Sequence, residues 1–209
     1  MNRTQELLDL ADWRRRVGDL YRIEGPDAID RFRQGRDQLF RDHSQSPLTK
    51  EAQASFTGLR YFPADPQYVV NARLEPADLS ELEIDTGGED GAIRYRRAGR
   101  LEFTMAGETC GLTVFSLVGY GGGLFLPFRD GTSARETYGG GRYLFDTPKN
   151  TDGLSLRLNA GTQNVGLDFN YAYNPSCAYD ARWCCPLAPR ENWLRVPVRA
   201  GEMAYGVPA

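Results

Sequence analysis

The chain has 209 residues, of which 41% are hydrophobic, and a formal net charge of -3. A chain of this length buries one sizeable core, so we expect a single domain over residues 1–209. This charge creates no basic field for nucleic acid or an anionic membrane, so neither is an expected partner. Residues 1–6 lack the apolar core of a signal peptide, and no apolar run approaches the ~20 residues of a membrane helix. We therefore expect a cytoplasmic protein.

The first 55 residues have the apolar periodicity of helices. Residues 3–21 repeat apolar side chains at three- and four-residue steps, which predicts an amphipathic helix. Gly25-Pro26-Asp27 breaks the chain and starts a second helix that ends near His43. Ser46-Pro47 repeats the start signal and predicts a short third helix up to about Ala54. We expect a helical arm over 1–55, packed on a β-rich body over 56–209.

Beyond Phe56 the apolar period changes from helical to alternating. Glycine turns at Gly99 and Gly107 are predicted to separate strands in the middle of the body. The predicted strands are 68–74, 93–95, 101–105, 112–117, 124–128, 142–145, 154–158, 165–169 and 194–198. About nine or ten short strands indicate a mainly β (α+β) fold, either an antiparallel β-sandwich or a partly closed barrel. No helix longer than two turns is expected in the C-terminal half.

Two segments, 128–143 and 168–192, carry more polar residues among turn formers than strands require. If the segments meet in space, their polar side chains form the floor of a pocket. Alternatively, the aspartate and asparagines satisfy loop backbone amides as side-chain turns, which these residue types do routinely. The candidate ligand-binding residues are Arg142, Asp168, Asn170, Asn174, Glu191 and Asn192.

Arg142 follows three glycines and has two interpretations. Its guanidinium could hold a carboxylate or phosphate ligand through two parallel hydrogen bonds. It could equally form an internal ion pair with Asp168 or Glu191, since a buried carboxylate without a partner is costly. We favour the internal ion pair.

Residue counts restrict the chemistry. The only histidine, His43, lies far in sequence from the polar segments, which disfavours histidine-dependent nucleophiles and histidine-rich metal sites. The four cysteines, Cys110, Cys177, Cys184 and Cys185, lack the paired spacing of zinc sites and are expected to be reduced and metal-free. No cofactor is predicted. Asp168 and Glu191 remain the candidate catalytic pair, because two carboxyls in unequal environments can divide acid and base roles.

At these polar residues the chain resembles a bacterial and archaeal family known as domain of unknown function 1684. The matching positions of the first segment are Phe128, Asp130, Thr132, Thr137, Tyr138, Gly141, Arg142 and Tyr143. Those of the second are Asp168-Phe169-Asn170, Tyr173-Asn174-Pro175, Cys177-Ala178-Tyr179, Cys185-Pro186 and Glu191-Asn192. Ser46-Pro47-Leu48 and residues 56–62 also fit, whereas Cys184 lies outside the pattern. The resemblance spans nearly the whole chain and implies a family, but no activity.

Three functions follow from these observations as hypotheses. The favoured one is a module that binds a small polar or anionic molecule between the 128–143 and 168–192 segments. The second is a metal-independent hydrolase or lyase that uses Asp168 and Glu191. In the third, the polar residues are an internal hydrogen-bond network that fixes the C-terminal loop.

Overall fold

The computed structural model describes residues 2–88, 91–158 and 161–206. The arm contains three helices, α1 (Arg3–Leu20), α2 (Ala28–Asp42) and α3 (Lys50–Ala54). Side-chain caps begin two of them: Asn2 accepts a hydrogen bond from the Thr4 amide, and Thr49 accepts one from the Ala52 amide. The three predicted helices are confirmed, but α3 begins at Lys50 after the cap Thr49, three residues later than the start signal at Ser46-Pro47 predicted.

The body is one antiparallel sheet of eight strands in the described part of the chain. Along the sheet the order is β6-β5-β4-β3-β1-β8-β7, and β2 pairs with β3 beside this path. The strands are β1 (Val69–Glu75), β2 (Glu81–Asp85), β3 (Ala92–Met105), β4 (Glu108–Leu117), β5 (Leu124–Phe128), β6 (Arg142–Asp146), β7 (Leu156–Leu158) and β8 (Asn164–Asp168). The predicted mainly β class with an N-terminal helical arm is confirmed. In the described C-terminal half, the helices after β6 are three-residue 3-10 turns.

The sheet curls into a partly closed barrel. In a flat sheet, the four steps between β5 and β8 would separate them by roughly 19 Å. Yet the ring of Phe128, in β5, lies 5.3 Å from the ring of Phe169, directly after β8. Tyr173 then exchanges two backbone hydrogen bonds with Tyr143 of β6, at 2.8 and 3.0 Å. The chain after β8 therefore connects the two sides of the sheet.

Three strand predictions differ from the structure. Gly99 is not a turn but lies at a bulge inside the long strand β3, where a Cβ would come within 2.6 Å of Leu74. Strand β2 was not predicted. Residues 194–198 are not a strand, although Leu194, Val196 and Val198 are buried alternately as the pattern suggested. Pro197 has no amide hydrogen and the Val198 amide donates to the Asp130 carboxylate, so a regular ladder does not form there.

Two apolar clusters lie on opposite faces of the sheet. The inner cluster fills the barrel with residues from β1, β3, β4, β5, β6 and β8, together with Leu194, Val196 and Val198. In the outer cluster, the arm packs Tyr21 and Phe32 against aromatic residues of the sheet and of the chain after β8. The helical arm thus covers the part of the outer face that carries these aromatic residues, whereas outward residues of β1 such as Val69 are exposed.

Candidate functional site

Arg142 begins β6 and is fully buried. Its guanidinium donates to the Asp130 carboxylate at 2.9 Å and to the carbonyl oxygens of Val198 and Glu202 at 2.8 and 3.1 Å. It also donates to the carbonyl oxygen of Ala200. The predicted partner, Asp168 or Glu191, is therefore wrong. Asp130 follows β5, the neighbour of β6, and this pairing places its carboxylate beside Arg142.

Asp130 extends this buried contact to the loop after β5. Its second carboxylate oxygen accepts hydrogen bonds from the Thr132 amide, the Thr132 hydroxyl and the Val198 amide, at 2.8, 2.6 and 3.1 Å. Arg142 and Asp130 together attach the 128–143 segment to the extended chain around residues 198–202. The two charges are paired with each other inside the protein, although Arg142 Nε is buried without a hydrogen-bond partner in the described ranges of the chain.

Asn192 and Glu191 lie at another part of the barrel wall. The Asn192 side chain accepts from the Thr113 amide at 2.8 Å and donates to the carbonyl oxygens of Thr113 and Pro127 at 2.9 and 2.8 Å. Glu191 accepts from Arg97 at 2.7 Å and from the Thr113 hydroxyl at 2.9 Å. Burial raises the pKa of Glu191, but the hydrogen bonds from Arg97 and Thr113 outweigh it and lower the pKa overall.

Asp168 and Asn170 lie at the end of β8, beside a shallow recess of about 180 Å³. The Asn170 side chain accepts from the Asp65 amide and donates to the Asp65 carbonyl oxygen, both at 3.0 Å. It also donates to the Asp168 carboxylate at 2.9 Å. Asn170 therefore holds the chain before β1 against the end of β8, as the side-chain-turn interpretation anticipated.

The structure separates the proposed catalytic carboxyls. Asp168 of β8 lies opposite Val69 of β1. The register between β1 and β3 places Val69 beside the C-terminal end of β3, near Met105. Glu191 instead contacts Arg97, eight residues earlier in β3. At about 3.3 Å per residue, the two carboxyls lie roughly 25 Å apart along the strand. They cannot share one substrate as acid and base.

The buried Asp168 carboxyl gives a pH-dependent prediction. Burial raises its pKa, against hydrogen bonds from Asn170 and attraction to Arg157. A raised pKa means that protonated Asp168 favours the fold, and that this contribution is lost as the pH rises through the folded pKa. We expect Asp168→Asn, which keeps the accepting oxygen, to unfold with a slightly larger free energy than the wild type at pH 7. The difference should disappear toward pH 3 in denaturant titrations; a variant that is less stable at pH 7 would contradict this.

A second buried ion pair joins the arm to the barrel. Arg36 of α2 lies 3.2 Å from Glu202, and both side chains are almost fully buried. The Glu202 carboxylate also accepts hydrogen bonds from the backbone amide of Asn174 at 2.8 Å and from the Tyr179 hydroxyl at 2.5 Å. Neither Arg36 nor Glu202 was a predicted site residue. A signal was present, because Arg36 lies four residues from both Phe32 and Phe40 on the apolar face of α2.

Beside this ion pair lies a narrow cavity of about 60 Å³. Its lining includes Arg36 from the arm, Tyr143 and Lys149 from the barrel, and Asn174 and Ser176 from the chain after β8. Two buried side-chain atoms of this lining have no hydrogen-bond partner in the described part of the protein, Arg36 Nε and Asn174 Oδ1. Asn174 Nδ2 is bound to the Met203 carbonyl oxygen at 2.8 Å, which fixes the orientation of the amide. Two residues of the lining thus carry a buried side-chain atom without a hydrogen-bond partner among the described residues, a donor on Arg36 and an acceptor on Asn174.

No group of three or more His, Cys, Asp or Glu side chains in residues 2–88, 91–158 and 161–206 is placed to hold a metal ion. Within the same residues, no helix has the length and apolar character needed to cross a membrane.

The fold and its internal polar contacts define a partly closed antiparallel barrel with a helical arm on its outer face. The chain belongs to the family described as Protein of unknown function (DUF1684), whose model matches residues 54–203. This confirms the resemblance found in the sequence. No curated protein matches the chain.

A solved structure similar to this chain is the solution NMR structure of an uncharacterized protein from Haloarcula marismortui. The two are 35% identical, with a TM-score of 0.62 over 84% of this chain and 91% of that chain. The structural likeness supports the fold, and neither name carries an activity.

Proposed function

We propose that the protein binds a small polar or anionic molecule in the cavity between the helical arm and the barrel. The observation that carries the proposal is the pair of unpartnered buried atoms, Arg36 Nε and Asn174 Oδ1, on one cavity. Buried polar groups are nearly always hydrogen-bonded, so two exceptions that line the same space point to a guest that satisfies both. Such a guest offers an acceptor to Arg36 and a donor to Asn174.

The charges of the lining favour an anionic guest. Arg36 and Lys149 contribute positive charge, and no carboxylate is among the described residues that line the cavity. Their partners, Glu202 and Asp146, balance this charge from outside the lining. The small volume restricts the guest to a few heavy atoms, such as a short hydroxy acid or a carboxylic amide.

The proposed site retains part of the pocket predicted from sequence and changes the rest. The 128–143 segment contributes Tyr143, and the 168–192 segment contributes Asn174 and Ser176. The helical arm, which the sequence did not implicate, supplies Arg36. Larger recesses of about 410 and 590 Å³ also lie against the arm, but no unpartnered buried polar atom in the described part of the chain lines either of them.

Glycolate, acetate, acetamide and phosphate are suitable probes for calorimetry and thermal unfolding. At least one is expected to bind the wild type and to raise its melting temperature, because a ligand of the folded state stabilises it by mass action. Arg36→Lys retains a cation for Glu202 but removes Nε. Loss of one charge-assisted hydrogen bond should weaken binding about tenfold or more.

Ser176→Phe is expected to abolish binding by filling the cavity while leaving the ion pair in place. Ser55→Phe, at an exposed serine after α3, is the matched control and should bind as the wild type does. If Ser176→Phe binds a probe as tightly as Ser55→Phe, the guest lies elsewhere. If no probe binds the wild type, the cavity is not a site for anions and amides of this size.

A further inference from the structure

Cys177 and Cys185 lie in contact beside this cavity. The backbone amide of Cys177 donates to Cys185 Sγ at 3.4 Å, and the Tyr138 hydroxyl donates to Cys177 Sγ at 3.6 Å. Both are free thiols, and both are partly exposed. The turn between them, closed by a hydrogen bond from the Trp183 amide to the Asp180 carbonyl oxygen, brings the chain back over itself. The two residues that carry these neighbouring thiols are therefore both partly open to solvent.

The surroundings favour a thiolate on Cys185. Its hydrogen bond with the Cys177 thiol is the largest influence and, with the Cys177 and Ser176 amides and the Lys149 charge, lowers its pKa against the effect of burial. The same contact, together with burial, raises the pKa of Cys177, so the shared proton stays there. The hydroxyls of Tyr138 and Tyr143 also face the pair, and burial raises the pKa of both.

We propose that Cys177 and Cys185 form a redox-active dithiol that hydrogen peroxide converts to a disulfide, with Cys185 as the attacking thiol. The absence of a nearby histidine disfavoured a reactive cysteine at the sequence level. In the fold, Cys185 needs no base, because backbone amides, a neighbouring thiol and Lys149 stabilise its anion. This site shares Lys149 and Tyr143 with the surroundings of the anion cavity, but its two thiols are not part of the cavity lining and its chemistry is different.

The reaction balances in two steps. Cys185 thiolate attacks one peroxide oxygen; an S–O bond forms, the O–O bond breaks, and the leaving hydroxide takes a proton to become water. Cys177 sulfur then attacks the Cys185 sulfur; an S–S bond forms and the S–O bond breaks. The hydroxyl group leaves with the Cys177 proton as a second water. Two thiols are oxidised by two electrons in total, and one hydrogen peroxide is reduced to two waters.

The first test is a mapped disulfide. Reduced protein is treated with equimolar hydrogen peroxide at pH 7, quenched with N-ethylmaleimide and digested with trypsin. Cleavage after Arg182 separates Cys177 from Cys184 and Cys185. We expect the 158–182 and 183–190 peptides to be joined with the loss of two hydrogens, in the wild type and in Cys184→Ser. Cys185→Ser should remove the link.

Cys177→Ser supplies the diagnostic intermediate. Without the resolving thiol, Cys185 is expected to stop as a sulfenic acid that dimedone labels in near-stoichiometric yield. The proposal is overturned if the wild type keeps all its thiols in excess peroxide, or if Cys184→Ser loses the link, which would make Cys184 the reacting residue. Absence of dimedone adduct at Cys185 in Cys177→Ser would also overturn the assignment of the attacking thiol.

The second test is the pH dependence of alkylation by iodoacetamide, followed peptide by peptide. The rate at Cys185 should reach half its maximum at a pH below the ordinary thiol value of about 8.5, because its surroundings lower its pKa. Lys149→Gln removes the cation and should move this midpoint upward. A Cys185 midpoint near 8.5, the ordinary thiol value, would overturn the proposal.

Discussion

Arg142→Met is expected to lower the free energy of unfolding by about 3 kcal/mol or more, enough to prevent folding in a marginally stable domain. The replacement has a similar length but no charge. It leaves the Asp130 carboxylate buried without its cation, and it removes the donor to the carbonyl oxygens of Val198, Ala200 and Glu202. Methionine packing cannot compensate for that many unpaired polar groups.

Chemical denaturation followed by far-ultraviolet circular dichroism measures this loss, or its extreme, the absence of a folding transition. Arg199→Met is the matched control. Arg199 also pairs with a carboxylate, Glu136, but its side chain is 56% exposed, so its removal should cost about 1 kcal/mol or less. Equal losses in the two variants would mean that burial of the Arg142 pair does not determine its contribution.

Asn192→Ala is expected to destabilise the protein by about 3 kcal/mol. The Asn192 side chain satisfies the amide and carbonyl of Thr113 and the carbonyl of Pro127, and it is fully buried. Removing it leaves three backbone groups without partners, each with a desolvation penalty of about 1–3 kcal/mol that local relaxation partly relieves. The link between the C-terminal chain and β4 and β5 should weaken accordingly.

The same denaturation experiment tests Asn192→Ala against Asn164→Ala. Asn164 is an exposed asparagine at the start of β8, and its replacement should change the unfolding free energy by about 0.5 kcal/mol or less. A loss below about 1 kcal/mol for Asn192→Ala would show that water replaces the amide without cost.

The elements with strong local signals were predictable from the sequence. Apolar periodicity and capping residues located the three helices, and alternation located most strands, with β5 at its predicted limits. The exceptions depend on tertiary contact. Gly99 looks like a turn, but its missing side chain admits Leu74 at a bulge. The 194–198 segment alternates as a strand does, yet its hydrogen bonds go partly to a side chain.

The polar positions were also recognisable, but their partners were not. Arg142 and Asp130 flank the connection between β5 and β6, and only the register Phe128↔Arg142 brings their side chains together. Asp168 and Glu191 are both carboxyls in the same polar segment, yet their strand positions separate them. Arg36 could have been recognised because it is an arginine on the apolar face of a helix, where a charged side chain needs a buried partner.

The ion pair between Arg36 and Glu202 has a consequence for the order in which the protein folds. Its partners are 166 residues apart in sequence, and the contact from the Tyr21 hydroxyl to the Tyr171 carbonyl oxygen spans 150. During synthesis the helices emerge first, but the buried arginine meets its carboxylate only after residue 202 has left the ribosome. A chain stalled before that point would contain the strands and the aromatic partners of the arm but not this ion pair, so the arm would be held to the barrel by its aromatic contacts without the buried charges.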